Sequence, residues 1–413
     1  MRTALRALSA GLRPTRQLGL RPLAQTAPFT ALQRCKSSSS SAPVQRDTMT
    51  GEIISLPDID PFLLKIQETT SAKTPLPSSK LVFGKTFTDH MLMIPWTSEA
   101  GWAEPVIKEW MKAYRCEDGT IRLFRPDMNM ARMNRSAARI ALPQFNGDAL
   151  IELIKKMVML ESKWIPGEPG YSLYLRPTMI ATQNSLGVGP SSSALLFVIA
   201  SPVGPYYATG FKAVSLQATT KYVRAAPGGT GGFKLGANYS PGVVPQVEAA
   251  KQGYAQNLWL HGPEHYLTEV GTMNLFVVIE NEHGQTELLT PPLEDLILPG
   301  VTRDSILSLA RDHVAGKTQI PGLPERDFVV SERKMTMPQL AQLAREGKVK
   351  EVFGAGTAAV VTSVDNIGYE GTDIPIPAGP EGLGPIAKAM LDRIQGIQTG
   401  RIEHEWSIVA GKA

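Results

Sequence analysis

Along Ala149–Lys163 the apolar residues Leu150, Ile151, Leu153, Ile154, Met157 and Val158 recur at helical spacing. The pattern also predicts helices over Asp127–Ala141, Pro245–Gln256, Thr302–Ala315, Met337–Glu346 and Leu383–Ile397. Strand-like runs fall at Leu81–His90, Ile121–Phe124, Leu173–Arg176 and Ala194–Ser201, then at Ala213–Ala218, Asn274–Ile279, Phe328–Ser331 and Ala358–Thr362. The longest apolar run, Ala194–Ala200, reads as a buried strand. It is far shorter than the roughly 18 to 20 residues that span a bilayer. No internal repeat is found. Strands and helices alternate irregularly, which predicts an α+β or mixed α/β fold rather than a doubly wound sheet.

A chain of 413 residues exceeds one typical core. The turn-rich stretch Pro202-Val203-Gly204-Pro205-Tyr206-Tyr207 is the best candidate for a link between two domains. The expected division is a leader at 1–46, a smaller N-terminal domain at 47–201, a linker at 202–212 and a larger domain at 213–413.

The leader changes the picture of charge. It holds seven Arg and one Lys, no Asp or Glu, and a serine run at 37–41. That composition, without a continuous apolar segment, is expected of a mitochondrial transit peptide, removed in the matrix. A disordered basic tail is the alternative. Without those eight cations the formal net charge passes from +4 to −4, so the basic pI is no nucleic-acid footprint. Cys35 lies in the leader and Cys116 stands alone beyond it, which excludes an internal disulfide framework or a cysteine zinc site. The six His are scattered with no H-E-x-x-H helix, so no metal is expected.

Four segments could carry chemistry. In Gly228-Gly229-Thr230-Gly231-Gly232-Phe233-Lys234-Leu235-Gly236, glycines crowd around one lysine. A phosphate-binding loop would need Gly-Lys-Ser/Thr, whereas Phe233 and Leu235 flank this Lys. Close backbone and apolar neighbours suit a desolvated amine with a lowered pKa, able to join an aldehyde. A glycine loop with a solvated lysine is the other reading. In Leu267-Thr268-Glu269-Val270-Gly271-Thr272-Met273-Asn274, one carboxylate sits among apolar residues before a strand. It could face water, or stand as the anion beside a pyridine nitrogen. Leu298-Pro299-Gly300-Val301-Thr302 turns into a helix whose free N–H groups favour anions. Phe353-Gly354-Ala355-Gly356-Thr357-Ala358 is a glycine turn that could do the same.

These motifs, in this order, resemble the branched-chain amino-acid aminotransferases of pyridoxal-phosphate (PLP) fold type IV. The likeness runs from Leu81 to about Trp406 and includes Phe83-Gly84-Lys85-Thr86-Phe87-Thr88-Asp89-His90, Leu123-Phe124-Arg125-Pro126 and Ser172-Leu173-Tyr174-Leu175-Arg176-Pro177. The resemblance implies a homodimer of the mitochondrial eukaryotic type with the active site between its two domains, the larger binding PLP. It implies ping-pong exchange between leucine, isoleucine or valine and 2-oxoglutarate, giving branched 2-oxo acids and glutamate, without nucleic-acid or membrane partners. Lys234 is then the Schiff-base lysine and proton shuttle, Glu269 the pyridinium partner and Tyr239 the partner of the phenolic oxygen. Arg132, Val301, Thr302 and Thr357 hold the phosphate, while Thr272 and Ala358 lie where the substrate carboxylate is received. Phe83, Tyr174 and Tyr206 line the side-chain pocket, Val188 enters from the second subunit, and Arg176 meets the distal carboxylate of glutamate.

Two departures accompany the likeness. Ala359 and Thr362 stand where the family carries a redox cysteine pair, so no thiol switch is expected there. About 21 family residues are missing between Trp110 and Met111, a stretch that would supply a central strand and two pocket aromatics. Exposed backbone and apolar neighbours would cost several kcal/mol, against a total of about 5 to 15. A catalytically impaired PLP-binding isoform is therefore the alternative. Aminodeoxychorismate lyase and D-amino-acid aminotransferase are rivals within the fold, against which Arg176, Tyr174 and the long N-terminal region argue.

Overall fold

The computed structural model describes residues 57–67, 73–109, 114–116, 118–204, 212–379 and 382–412. The leader, Tyr206, most of the expected linker and the Trp110/Met111 junction lie outside the described residues. The first sheet contains β1 (Lys65–Ile66), β2 (His90–Thr97), β3 (Gly101–Trp102) and β4 (Val106–Glu109). Next along the chain come β5 (Tyr114–Arg115) and β6 (Thr120–Phe124), which belong to a separate small sheet. The first sheet is completed by β7 (Ser172–Ala181) and β8 (Ser193–Val203), in the order β1-β4-β2-β8-β7 with β3 beside β2.

Helices α1 (Pro126–Arg139) and α2 (Gly147–Leu160) sit between β6 and β7 in sequence. The Asn146 side chain caps α2 by accepting from the Asp148 and Ala149 amides. All six apolar residues that predicted this helix are buried, in one core with Leu92, Ile94, Leu196 and Val198 of the sheet.

Beyond 212 the chain builds a nine-stranded sheet. Its strands are β9 (Val214–Thr219), β10 (Gln256–His261), β11 (Tyr266–Val270), β12 (Met273–Glu280), β13 (Thr286–Thr290), β14 (Phe328–Glu332), β15 (Val349–Gly356), β16 (Val360–Tyr369) and β17 (Thr372–Pro375). Because β11 pairs with both β10 and β12, six strands close into a ring, β11-β10-β9-β16-β15-β12. On β12, Leu275, Val277 and Ile279 join one core, while Phe276 and Val278 join another. Alternate side chains of a strand point to opposite faces, so a strand covered on both sides reads as continuously apolar. Helix α5 (Met337–Arg345) contributes Leu340 and Ala341 to the first core, and α4 (Val301–Val314) and α6 (Pro385–Gln398) cover the second. Helix α3 (Val243–Lys251) precedes β10.

The chain ends in β18 (Ser407–Lys412), antiparallel to β6 in the small sheet. The Arg125 amide, at the start of α1, donates to the Trp406 carbonyl at 2.8 Å, and its guanidinium lies 4.1 Å from the Trp406 ring centroid. Among the described residues no helix is long and apolar enough to cross a membrane.

Several expected boundaries differ. Leu81–His90 is not a strand: Phe83–Lys85 turn at Gly84 (φ +69°), and β2 begins only at His90. The helix expected to reach Gln256 stops at Lys251, because Gly253 adopts φ +89° and Gln256 already belongs to β10. Ala358 and Ala359 lie in a turn, and β16 starts at Val360 in a left-handed conformation, φ +59°. The Ala194–Ala200 run is not buried throughout: Ala194, Leu196, Val198 and Ala200 are, while Leu195, Phe197 and Ile199 are half-buried, since one face of that sheet lacks the main core. That strand continues through Pro202 and Val203.

Candidate active site

Lys234 lies in a loop pressed against its surroundings from two sides. A Cβ on Gly231 would come within 2.4 Å of the Leu296 carbonyl oxygen, so the close approach requires glycine. The Gly232 amide donates to the Asp295 carbonyl at 2.8 Å. From the opposite side α1 supplies Arg135, which donates to the Gly232 carbonyl at 2.5 Å, and Ser136, which accepts from the Lys234 amide at 2.9 Å. Asn238 closes the loop, its amide donating to the Thr230 and Phe233 carbonyls at 2.7 Å each.

The Lys234 side chain is open to solvent at its surface yet surrounded by protein atoms along its length. Burial lowers its pKa from 10.5 to about 8. Arg132, Arg176 and Arg224 push in the same direction, while Glu269 opposes them. Its Nζ donates to Tyr239 Oη at 2.6 Å. Burial, and then the Glu269 charge, raise the Tyr239 phenol.

Glu269 leads into the hairpin of β11 and β12, where Val270 pairs with Met273 across Gly271 and Thr272. Gly271 takes φ +52°, and a Cβ there would strike Gln256. Only 2% of Glu269 is exposed. Oε2 pairs with Arg224 Nε at 2.8 Å, and Oε1 accepts from the Leu298 amide at 2.8 Å and the Asn274 amide at 3.4 Å. Burial nevertheless lifts the carboxyl from 4.5 to about 7, with Arg224 as the largest opposing influence and Lys234 among the others. Burial dominates both shifts, and the opposite charges of Lys234 and Glu269 each partly offset it in the other.

Groups of the kind that can bind an anion stand close by. Arg132 on α1 donates to Asn129 Oδ1 at 3.0 Å and to the Pro299 carbonyl at 3.4 Å, and burial lowers its pKa. Pro299 leads through Gly300 into α4, whose first residues Val301 and Thr302 are both buried. Backbone N–H groups in a first helical turn have no partner within the helix. A Cβ on Gly300 would fall 2.1 Å from Asn274 Oδ1 and displace that side chain, whose amide donates to the Leu298 carbonyl at 2.8 Å. Thr357 and Ala358 occupy the β15–β16 turn, with Thr357 exposed, and Thr272 is exposed at its hairpin. On β7, Tyr174 packs edge-on against Phe83 with ring centroids 5.1 Å apart, and the Arg176 guanidinium lies 5.6 Å from the Tyr174 ring centroid. Val188 is fully exposed on its own chain. Tyr206 lies outside the described residues. Sequence reasoning missed Arg224, Asn274 and Ser136. No local pattern marks them, because each acts through a distant partner.

These donors suit an aromatic aldehyde phosphate: an amine of lowered pKa, a buried carboxylate acting on it, and an arginine beside a helix start. Among the described residues no group of three or more His, Cys, Asp or Glu could hold a metal.

Comparison with known proteins agrees with this chemistry. Residues 108–367 match the family described as Amino-transferase class IV. A branched-chain-amino-acid aminotransferase of Dictyostelium discoideum is 50% identical, over 84% of this chain and 96% of that one. A mitochondrial branched-chain-amino-acid aminotransferase of Saccharomyces cerevisiae is 48% identical, over 84% and 93%. The crystal structure of the Escherichia coli branched-chain amino acid aminotransferase shares the fold, with TM-score 0.58 and 24% identity over 82% of this chain and 95% of that one.

Proposed function

This chain belongs to the amino-transferase class IV family, and we propose that it works through Lys234, with Glu269, Tyr239, Arg132, Val301, Thr302 and Thr357 as its PLP ligands. It is a PLP-dependent transaminase of branched-chain amino acids, with the mixed α/β fold of its class. Near-full-length similarity to branched-chain enzymes favours this activity over an impaired isoform and over the D-amino-acid or lyase rivals. The observation that carries the residue assignment is the Lys234 Nζ bond to Tyr239 Oη at 2.6 Å, in a loop whose Lys234 amide is held by Ser136 of the helix that carries Arg132.

When bound, PLP supplies an aldehyde that condenses with amines and a protonated ring that accepts electrons. The chain's own residues prepare that chemistry. With a pKa of about 8, Lys234 holds a substantial neutral fraction near neutral pH and can both attack and carry a proton at Nζ. Tyr239 Oη orients that nitrogen. Arg224 and the Leu298 amide hold the Glu269 carboxylate in place, and a cationic ring nitrogen beside it would favour its ionised form. Arg132 and the start of α4 bind the phosphate dianion. Phe83 and Tyr174 form an apolar wall for leucine, isoleucine or valine, and Arg176 at its edge receives the distal carboxylate of glutamate or 2-oxoglutarate. Thr272 and Ala358 face the substrate carboxylate.

The exposed Val188 supports its insertion into a second subunit of a homodimer. The arginine-rich, acid-free leader supports matrix import, in keeping with the mitochondrial relative, although cytosolic relatives also match. The six-stranded sheet before 204 and the nine-stranded sheet after 212 support a division into domains near that stretch, although β8 extends into it through Val203 and β18 returns across it to pair with β6.

Borohydride reduction of the yellow holoenzyme, followed by peptide mass mapping, tests the assignment. The reduced cofactor should be recovered on the peptide containing Lys234. Its recovery on any other peptide refutes the assignment.

A further inference from the structure

The structure holds the loop on either side of Lys234 by several contacts, but the lysine's own backbone by one. Upstream, the Gly232 amide binds Asp295, and Arg135 and Arg139 of α1 donate to the Gly232 and Gly228 carbonyls at 2.5 and 3.4 Å. Downstream, Asn238 ties Thr230 to Phe233. Among the described residues, the only hydrogen bond made by the Lys234 backbone is its amide donating to Ser136 Oγ at 2.9 Å. Ser136 is 4% exposed, and its hydroxyl donates in turn to the Arg132 carbonyl at 2.9 Å.

We propose that Ser136 is the positioning residue for Lys234: its hydroxyl fixes the lysine peptide and couples it to the helical turn that carries Arg132. This rests on Lys234 being the cofactor-bearing amine. A serine within a helix often bonds only to the carbonyl four residues earlier, which is a purely local role. Here the same oxygen also accepts from a residue 98 positions away, so both its donor and its acceptor capacity are used. The lysine side chain has four rotatable carbon–carbon bonds, and only a fixed root keeps Nζ at 2.6 Å from Tyr239 Oη. Ser136 therefore sets the distance between the reacting nitrogen and the phosphate-binding arginine, although it touches neither substrate nor cofactor.

The test uses Ser136→Ala and Ser136→Thr. Threonine keeps a hydroxyl able to make the same two bonds. In cofactor-free protein, acetic anhydride labelling of Lys234 is followed by mass spectrometry across pH. The wild-type midpoint should lie at about 8. In Ser136→Ala it should rise toward 10.5 as the side chain drifts into water. In the loaded enzyme kcat should fall about 10- to 100-fold, with the KM for leucine within about twofold of wild type. Ser136→Thr should restore both readouts. If Ser136→Ala fails to fold, Ser136→Cys, with a weak acceptor of similar size, is read in the same way. A folded Ser136→Ala protein with the wild-type labelling midpoint and kcat overturns the proposal while leaving Lys234 as the cofactor lysine. Borohydride mapping of the cofactor to another residue overturns both.

Discussion

Arg224→Met removes the cation that stands 2.8 Å from Glu269, in a pair whose side chains are 7% and 3% exposed. Burial already lifts the Glu269 carboxyl from 4.5 to about 7 with Arg224 in place. At about 1.4 kcal/mol per pKa unit, that shift corresponds to roughly 3 kcal/mol. Because the folded value is the higher, Glu269 favours folding most below pH 4.5, and this contribution is lost as pH rises toward 7. Without Arg224 the folded pKa climbs further, and the loss extends into the alkaline range. Removing one partner of a buried pair costs about 3–5 kcal/mol. At about 2–4 °C per kcal/mol, melting should fall by about 10 °C at pH 8. At pH 6 the fall should be smaller, because a protonated Glu269 leaves no unpaired charge. With the carboxyl held neutral, the ring nitrogen loses its anion, and kcat should drop by about 10²-fold or more. Melting curves at both pH values and leucine turnover check this. Equal melting losses at pH 6 and pH 8, or wild-type kcat, would refute the reasoning.

Three further outcomes are expected. Arg176→Met should raise KM for glutamate by about tenfold or more, as loss of a charge-assisted bond implies, while leaving leucine nearly unchanged. Parallel increases for both substrates in steady-state assays would argue against a divided pocket. Gly231→Ala, whose Cβ would meet the Leu296 carbonyl oxygen at 2.4 Å and the Ala225 Cβ at 2.5 Å, should cost about 1–3 kcal/mol in urea unfolding. Thr336→Ala removes a complete capping box at α5, with Gln339 as its reciprocal partner, and should cost about 1 kcal/mol without altering kcat.

Much of this architecture was legible where a local rule governs. The 3.6-residue spacing located α2, and Gly300 before Val301 located the start of α4, because helices are set by near neighbours. β12 showed as an unbroken apolar run because both its faces are covered. Elements defined by distant pairing were not legible. The pattern assigns β10 no element beyond Gln256, its first residue, which falls at the end of the expected helix, and β15 and β18 carry no alternation of their own. At the site, Lys234 stood out through its glycines. Arg224 lies 45 positions from Glu269 and Ser136 lies 98 from Lys234, so only the folded chain reveals why either is needed. The remaining proposed site residues rest on the resemblance, since no spacing in this chain links them.

The pairing of β18 with β6 joins positions nearly 300 residues apart, and Trp406 braces the residue that opens the Arg132 helix. The stretch from Trp406 to Lys412 must therefore emerge from the ribosome before the start of the Arg132 helix is fully braced. Until then the nascent chain has its glycine loop but lacks a finished seat for the vitamin-derived group. If Arg132 holds the cofactor phosphate, a nonsense codon a few positions before Trp406 should yield protein that stays colourless.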